Sequence, residues 1–407
     1  MKNIVFYLIT VALLLTSACV DKSGRVTGVK LDHNEVTLGI GESITLKATV
    51  IPANADEKTL YWVSSDSDLV KVDENGKITG VAFTDNDEKD DEDEDDYDNF
   101  VTIRVSTKEG NFADYCHVRV RATGVWTQKA NFGGSGRVGA VGFSINGKGY
   151  IGTGFDNDFH RDFWEYDPVS NTRIQKIDFA GIGRQNAVGF SIGDKGYIGT
   201  GLSDNNSSND FWEYDPSSEK WTQKANFAGV ARFGAVGFSI ADKGYIGTGF
   251  NGQYLQDFWE YDPDSDTWSQ KEDFPGVARR GAVGFSIGNK GYIGTGFNGN
   301  YHQDFWEYDP SSEKWTQKAN FKGSARYGAV AFSIDGKGYI VTGFYTTGNG
   351  YLNDFWEYDP VSNIWIRKID FADGNRRNAV GFSIGNKGYI GTGSNNDYLR
   401  DFWEFTP

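Results

Sequence analysis

Six arginines recur at matching places along the chain: Arg137, Arg184, Arg232, Arg279, Arg326 and Arg376. The residue after each one varies, reading Val138, Gln185, Phe233, Arg280, Tyr327 and Arg377. A guanidinium offers a planar fork of donors that matches a carboxylate or sulfate bidentately. A set of such forks could receive an anion, and the unequal neighbours could discriminate ligands by stacking and hydrogen bonding. The same arginines also have a structural reading, in which each ties its own repeat together through backbone carbonyls or a carboxylate. Acid–base chemistry would need carboxylates, and Asp156, Asp158 and Asp204 could supply them, although no spacing selects them. The glutamates Glu165, Glu213, Glu260, Glu307, Glu357 and Glu404 recur in every copy, so they read as a requirement of the repeat. Lysines such as Lys224 and Lys271 are their expected cross-strand partners. His160 and His302 stand at equivalent positions of two copies, where three others have Leu255, Leu352 and Leu399. Two such distant histidines cannot share a metal. No Ser-His-Asp order, phosphate-cradling glycine loop or metal cluster is found, so no catalytic residue, metal or cofactor is expected.

The elements that must position these residues are repeats. The phrase Asp-Phe-Trp-Glu-Tyr-Asp-Pro begins at Asp162, Asp210, Asp257, Asp304 and Asp354, and a sixth copy runs from Asp401 to Pro407. Its tryptophans lie 47 to 50 residues apart. In the copy from Arg232 to Phe274, strands are expected over 234–240, 244–249, 257–262 and 268–271. Along the first, Val236, Phe238 and Ile240 face one way, and Ala235, Gly237 and Ser239 the other. A sheet with one bulky and one small face can stack on its neighbour and, repeated in a circle, leave no open face. The region begins with a lone fourth-strand segment, Trp126 to Phe132, and ends after a third strand, so the first segment can complete the last sheet.

A period just under fifty, a glycine-rich second strand, a Tyr-Asp-Pro corner and a second tryptophan about ten residues on resemble kelch repeats over 124–407. Gly247-Thr-Gly249 stands where that family usually has a glycine doublet, and Arg173 replaces one fourth-strand tryptophan. The resemblance implies a six-bladed β-propeller closed by an N-terminal strand. The first-to-second strand turns barely vary, whereas the loops at 155–160, 202–208 and 344–351 on the opposite rim diverge, which makes that rim the expected binding face. Kelch domains that grip acidic peptides, and bacterial kelch sialic-acid mutarotases, carry arginines at this mouth. That likeness implies an anionic glycan or protein ligand, with a mutarotase-like activity or a purely structural role as alternatives. The copper radical oxidases of the same fold are set aside, because this region has no cysteine.

Residues 1–18 read as an export signal, with Lys2, an apolar stretch from Ile4 to Leu15, and Ser17-Ala18 before Cys19. The stretch is too short to span a membrane. Leu15 to Cys19 resembles the lipobox of bacterial lipoproteins, which implies acylation of Cys19 and an outer-membrane or cell-surface location. Residues 25–121 alternate in short strands around Trp62 and read as a β-sandwich. Leu46 to Ala53, Trp62 to Ser65 and Gly76 to Gly80 resemble group-two bacterial immunoglobulin-like domains, which implies a spacer or adhesion module. Residues 85–98 hold eleven carboxylates and one lysine; they read as a solvated loop, with a calcium-responsive loop as the alternative. The net charge of −16 argues against nucleic acid. The expected molecule is an all-β, lipid-tethered monomer.

Overall fold

The structure, a computed structural model, describes residues 24–84, 100–108, 112–204, 206–346 and 350–407. The export segment 1–18, Cys19, the acidic run 85–98 and part of the 344–351 loop lie outside the described residues. The chain divides into two units, Met1–Arg121 and Ala122–Pro407.

In the first unit, Glu35–Leu38, Ala113–Val120, Val101–Thr107 and Leu60–Ser64 form one sheet in that order. Ser43–Thr45, Lys77–Gly80 and Val70–Val72 form a second, and Gly28–Leu31 pairs with Ala48–Ile51. Val101, Ile103, Val105, Cys116, Val118 and Val120 are fully buried between the layers, as alternation along their strands requires. Trp62 packs half-buried on this core, and a side chain at Gly76 would fall 2.6 Å from its ring. Cys116 is enclosed, and burial, with Asp32, Glu35 and Asp114 adding to it, pushes its thiol up to about 11. Residues 43–50 alternate without a break, as one strand would, yet they form two strands in different sheets. Leu46 faces inward at the crossing, its amide donating to the Gly76 carbonyl. The same side stays inward through the switch, so alternation could not reveal it.

Among its described residues the second unit holds six four-stranded antiparallel sheets and a two-stranded pair, Leu202–Ser203 with Asn206–Ser207. The third contains Val236–Ile240, Lys243–Gly247, Phe258–Asp262 and Thr267–Gln270. The sixth is assembled from both ends of the unit. Val125–Gln128 lies antiparallel beside Phe402–Thr406, with Trp126 opposite Phe405. Lys129 then reaches Glu404 at 3.1 Å, taking the place that Lys271 fills for Glu260 at 3.3 Å. Each such glutamate also accepts a tyrosine hydroxyl from the neighbouring strand, as Tyr245 donates to Glu260 at 2.6 Å. These carboxylates are therefore internal ties of each sheet.

The sheets stack by size complementarity. Phe190 of the second sheet lies against Gly237 and Gly244 of the third, where a side-chain carbon on Gly244 would come within 2.5 Å of its ring. Phe382 of the sixth sheet covers Gly142 and Gly149 of the first in the same way. Backbone hydrogen bonds follow the same circuit. The amides of Gly139, Asn378, Gly328, Gly281, Gly234 and Asn186 each donate to the carbonyl of the next, and Asn186 donates back to Gly139, at 2.7 to 2.9 Å. All six residues have left-handed φ values between 51° and 63°, which glycine and asparagine tolerate best. This circuit claims Gly234, so the first strand starts at Val236 and not at the expected Gly234.

Candidate anion-binding mouth

The six repeated arginines are not a free cationic ring. Arg184, Arg232, Arg279, Arg326 and Arg376 are 0% exposed and Arg137 only 1%, so no ligand reaches them. Arg232 shows the arrangement. Its Nη1 and Nη2 donate to the two oxygens of Asp257 at 2.6 Å each, Nη1 also meets the Thr248 carbonyl at 2.9 Å, and Nε donates to the Val230 carbonyl. The Phe227 ring lies 4.8 Å from the guanidinium. Asp257 accepts the Trp259 indole N–H as well. Burial pushes the Asp257 carboxyl up, but the Arg232 hydrogen bonds and charge, together with Trp259, outweigh it and hold it below the ordinary value. The other five arginines pair likewise with Asp162, Asp210, Asp304, Asp354 and Asp401. The expectation that Arg137, Arg184, Arg232, Arg279, Arg326 and Arg376 bind ligand is thus corrected: they staple their own sheets. The signal was present in the sequence. Each arginine precedes its aspartate by 25 to 28 residues in every copy, and recurrence had already marked the glutamates as structural.

The staple differs in the sixth sheet. Five copies place glycine two residues after the phenylalanine under the arginine, and a side chain at Gly323 would crowd Arg326 and Asp354. Here Asp373 stands instead, and Arg376 Nη2 meets both Asp373 and Asp401 at 2.8 Å.

The variable residues occupy a different setting. Val138, Gln185, Phe233, Arg280, Tyr327 and Arg377 are half-exposed and directly precede the circuit residues. Each pairs in antiparallel fashion with the residue that opens the second-to-third strand loop. The partners are Phe155, Leu202, Phe250, Phe297, Phe344 and Ser394. In four sheets that residue pairs in turn with an aromatic farther along: Phe159, Tyr254, Tyr301 and Tyr398. In the fifth, Phe344 stands opposite Tyr351. Phe233, Arg280, Tyr327, Asn186 and Asn378 line a cavity of about 150 Å³ above the circuit.

Arg280 and Arg377 behave alike. Arg280 lies over Phe250 at 5.1 Å and Phe233 at 5.6 Å, both from the preceding sheet. Arg377 lies over Phe344 at 4.8 Å, Tyr351 at 5.6 Å and Tyr327 at 5.7 Å, again from the preceding sheet, and donates to the Tyr327 hydroxyl. Neither guanidinium meets a carboxylate among the described residues. Aromatic faces hold each charge in place without neutralising it, which leaves its donor edges for an anion.

The rim carboxylates are elsewhere. Asp156 meets His160 Nε2 at 2.6 Å, and burial, which raises its carboxyl, is outweighed by Ser135 and His160, which hold it low. Ser135 Oγ approaches the same Nε2 at 3.3 Å, so the three cannot act as a relay, which needs both ring nitrogens. Asp158 and Asp204 are exposed. None of the three lines the mouth cavity. His302 holds its own loop through Asn298 at 2.8 Å. Among the described residues no three His, Cys, Asp or Glu side chains converge as a metal site would require.

Residues 25–84 match the bacterial Ig-like domain (group 2) family. The N-terminal unit carries a bacterial Ig-like domain. Curated relatives match over limited lengths. An uncharacterized protein of Clostridium acetobutylicum is 36% identical over 95 residues, which are 23% of this chain and 20% of that protein. The Ig-like virion protein of Serratia phage KSP90 is 35% identical over 109 residues, 26% of this chain and 35% of the phage protein. A 3-O-alpha-D-galactosyl-alpha-L-arabinofuranosidase of Bifidobacterium longum subsp. longum is 39% identical over 80 residues, 19% of this chain and 7% of the enzyme. The chain thus spans 35% or less of the length of these relatives. Among solved structures, YjhT aligns with a TM-score of 0.59 at 16% identity, covering 68% of this chain and 97% of its own. At that identity the likeness shows the fold alone, a β-propeller-like all-β arrangement.

Proposed function

We propose that this is a lipid-anchored binding protein whose six sheets are the blades of a closed kelch-type propeller, and whose mouth recognises an acidic glycan. The observation that carries the reading is the pair of arginines, Arg280 and Arg377, seated on aromatic rings beside the cavity with no carboxylate partner among the described residues. A guanidinium over an aromatic face keeps its charge and its fork geometry, which is the chemistry that recognises a carboxylate or sulfate. Phe233 and Tyr327 add flat surfaces for a sugar ring, and Asn186 and Asn378 add amides for its hydroxyls. Gln185 lies farther round the same rim and extends this polar surface. Binding of this kind needs no acid–base pair, and no carboxylate lines the cavity.

A thermal-shift panel tests the reading. At a hundred times its dissociation constant a ligand stabilises the native protein by about 2.7 kcal/mol. Uronic or sialic acids should raise the melting temperature and neutral sugars should not. Equal shifts with neutral sugars, or none with any acid, would remove the mouth's anion specificity. The anchor is tested separately. Cys19→Ser should move the protein from the membrane fraction to the soluble fraction, and retention in the membrane would overturn acylation at that residue.

A further inference from the structure

We infer that the mouth carries two separate anion clamps joined by an aromatic ledge, so that its ligand is an oligosaccharide bearing at least two acidic groups. This rests on the mouth being an anion site and deepens that reading. Arg280 lies on Phe233 and Phe250 of the third sheet, and Arg377 lies on Tyr327 and Phe344 of the fifth. The two clamps thus share one design, each arginine leaning onto an aromatic pair of the sheet before it. Arg280 lines the mouth cavity, whereas Arg377 stands behind Tyr327, which lines it and whose hydroxyl accepts from Arg377, so each arginine has its own aromatic seat.

A run of touching aromatic rings extends from the third sheet to the fifth. Tyr254 meets Phe297 with ring centroids 6.3 Å apart, and Phe297 meets Tyr301 at 5.0 Å. Phe297 and Tyr301 approach Tyr327 at 5.8 and 6.0 Å, and Tyr301 reaches Tyr345 at 5.1 Å. This ledge ends where Ser394 replaces the aromatic in the sixth sheet and Leu202 replaces it in the second. It therefore occupies the same side of the mouth as the two clamps.

The loops above the ledge are uncharged and rich in amides. They read Asn251-Gly-Gln253 and Asn298-Gly-Asn300, with Asn251, Gln253 and Asn300 exposed. Nothing stands within 4 Å of a side-chain position at Gly252 or Gly299, so the surface above them is open. Flat rings for the C–H face of a pyranose, amides for hydroxyls and guanidinium forks for carboxylates together suit an acidic glycan. An acidic peptide would instead gain most from an unpaired strand edge, and the rim residues are already paired across their loops.

Calorimetric titration of the protein with galacturonic acid, its linear trimer, a neutral galactose trimer and tetraglutamate tests this inference. The monomer should bind weakly with a stoichiometry of about two, one per clamp. The trimer should bind with a stoichiometry of about one and roughly a hundredfold tighter, the gain expected when two linked groups engage together. Arg280→Ala or Arg377→Ala alone should bring the trimer down to monomer affinity and halve the monomer stoichiometry. Tyr301→Ala should weaken the trimer about tenfold and leave the monomer unchanged. Equal affinity for monomer and trimer at a stoichiometry of one would overturn the two-clamp arrangement while leaving the mouth as an anion site. Binding of none of the acids would overturn both, and tetraglutamate binding tighter than the trimer would replace the glycan with a peptide.

Discussion

Replacing Arg232 by alanine is expected to cost the repeat region about 3 kcal/mol of stability, although the residue touches no ligand. The side chain is fully buried, and its removal takes the donor from Asp257 and from the Thr248 and Val230 carbonyls at once. Asp257 loses both charge-assisted bonds, and the Thr248 carbonyl loses its donor. Breaking a buried pair by deleting one partner costs about 3–5 kcal/mol, and the low end applies because the Asp257 side chain keeps 22% exposure. Thr248 sits at a φ of 61°, a conformation a β-branched residue adopts at a cost, so the arginine is also holding a strained corner in place. Urea unfolding measures the loss, and a change below about 1 kcal/mol would show that the staple carries little.

The same pair fixes the acid side of the stability curve. Burial raises the carboxyls of Asp210, Asp257, Asp304 and Asp354, but their arginines outweigh it, and all four lie below the ordinary value. A carboxyl depressed in the folded state contributes stability above its unfolded pKa of about 3.9 and loses it as pH falls through the folded value. The protein should therefore hold its stability down to about pH 4 and lose it below. Arg232→Ala should flatten that acid limb as well as lower the whole curve.

The second large effect concerns binding and leaves the fold alone. Arg280→Ala and Arg377→Ala should each weaken an acidic ligand's binding by roughly tenfold to a hundredfold, the range for losing a hydrogen bond to a charged group. Melting temperatures should stay within about a degree of wild type, because neither guanidinium satisfies a buried carboxylate. Tyr327→Phe separates the two roles of that residue. It keeps the ring under Arg377 but removes the hydroxyl that the guanidinium meets, so it should cost less than either arginine. Loss of binding together with loss of fold would instead make these arginines structural, as their six neighbours are.

The difference between neighbouring arginines marks how far the sequence can be read. Recurrence made the sheets legible, because bulky residues such as Phe238 and small ones such as Gly237 alternate along the first strand of each copy, with Ala331 in place of the glycine in the fifth. It made the glutamate ties legible too, since Glu260 and Lys271 recur on adjacent strands. The arginine staples obey the same logic, and only their rim position suggested binding. Partners such as Asp257 lie within the very phrase that defines the repeat, yet which side chain meets Arg232 depends on how the chain returns across the sheet. The mouth was legible as a set of unequal residues. The aromatic seats of Arg280 and Arg377 were not, because they come from the preceding sheet, 26 to 50 positions away in the chain, and no local pattern links them. The switch of strand between sheets at Leu46 was hidden for a related reason: burial pattern records which side faces inward but not which sheet provides the partner.

The proposed function stands on an acidic sugar binding at Arg280 and Arg377. Difference electron density from crystals soaked in galacturonic acid tests it most directly. A carboxylate is expected within hydrogen-bonding distance of the Arg280 or Arg377 guanidinium, with the pyranose ring against Phe233 or Tyr327. Ordered sugar elsewhere on the surface, with the cavity at Arg280 empty at a saturating concentration, would contradict it.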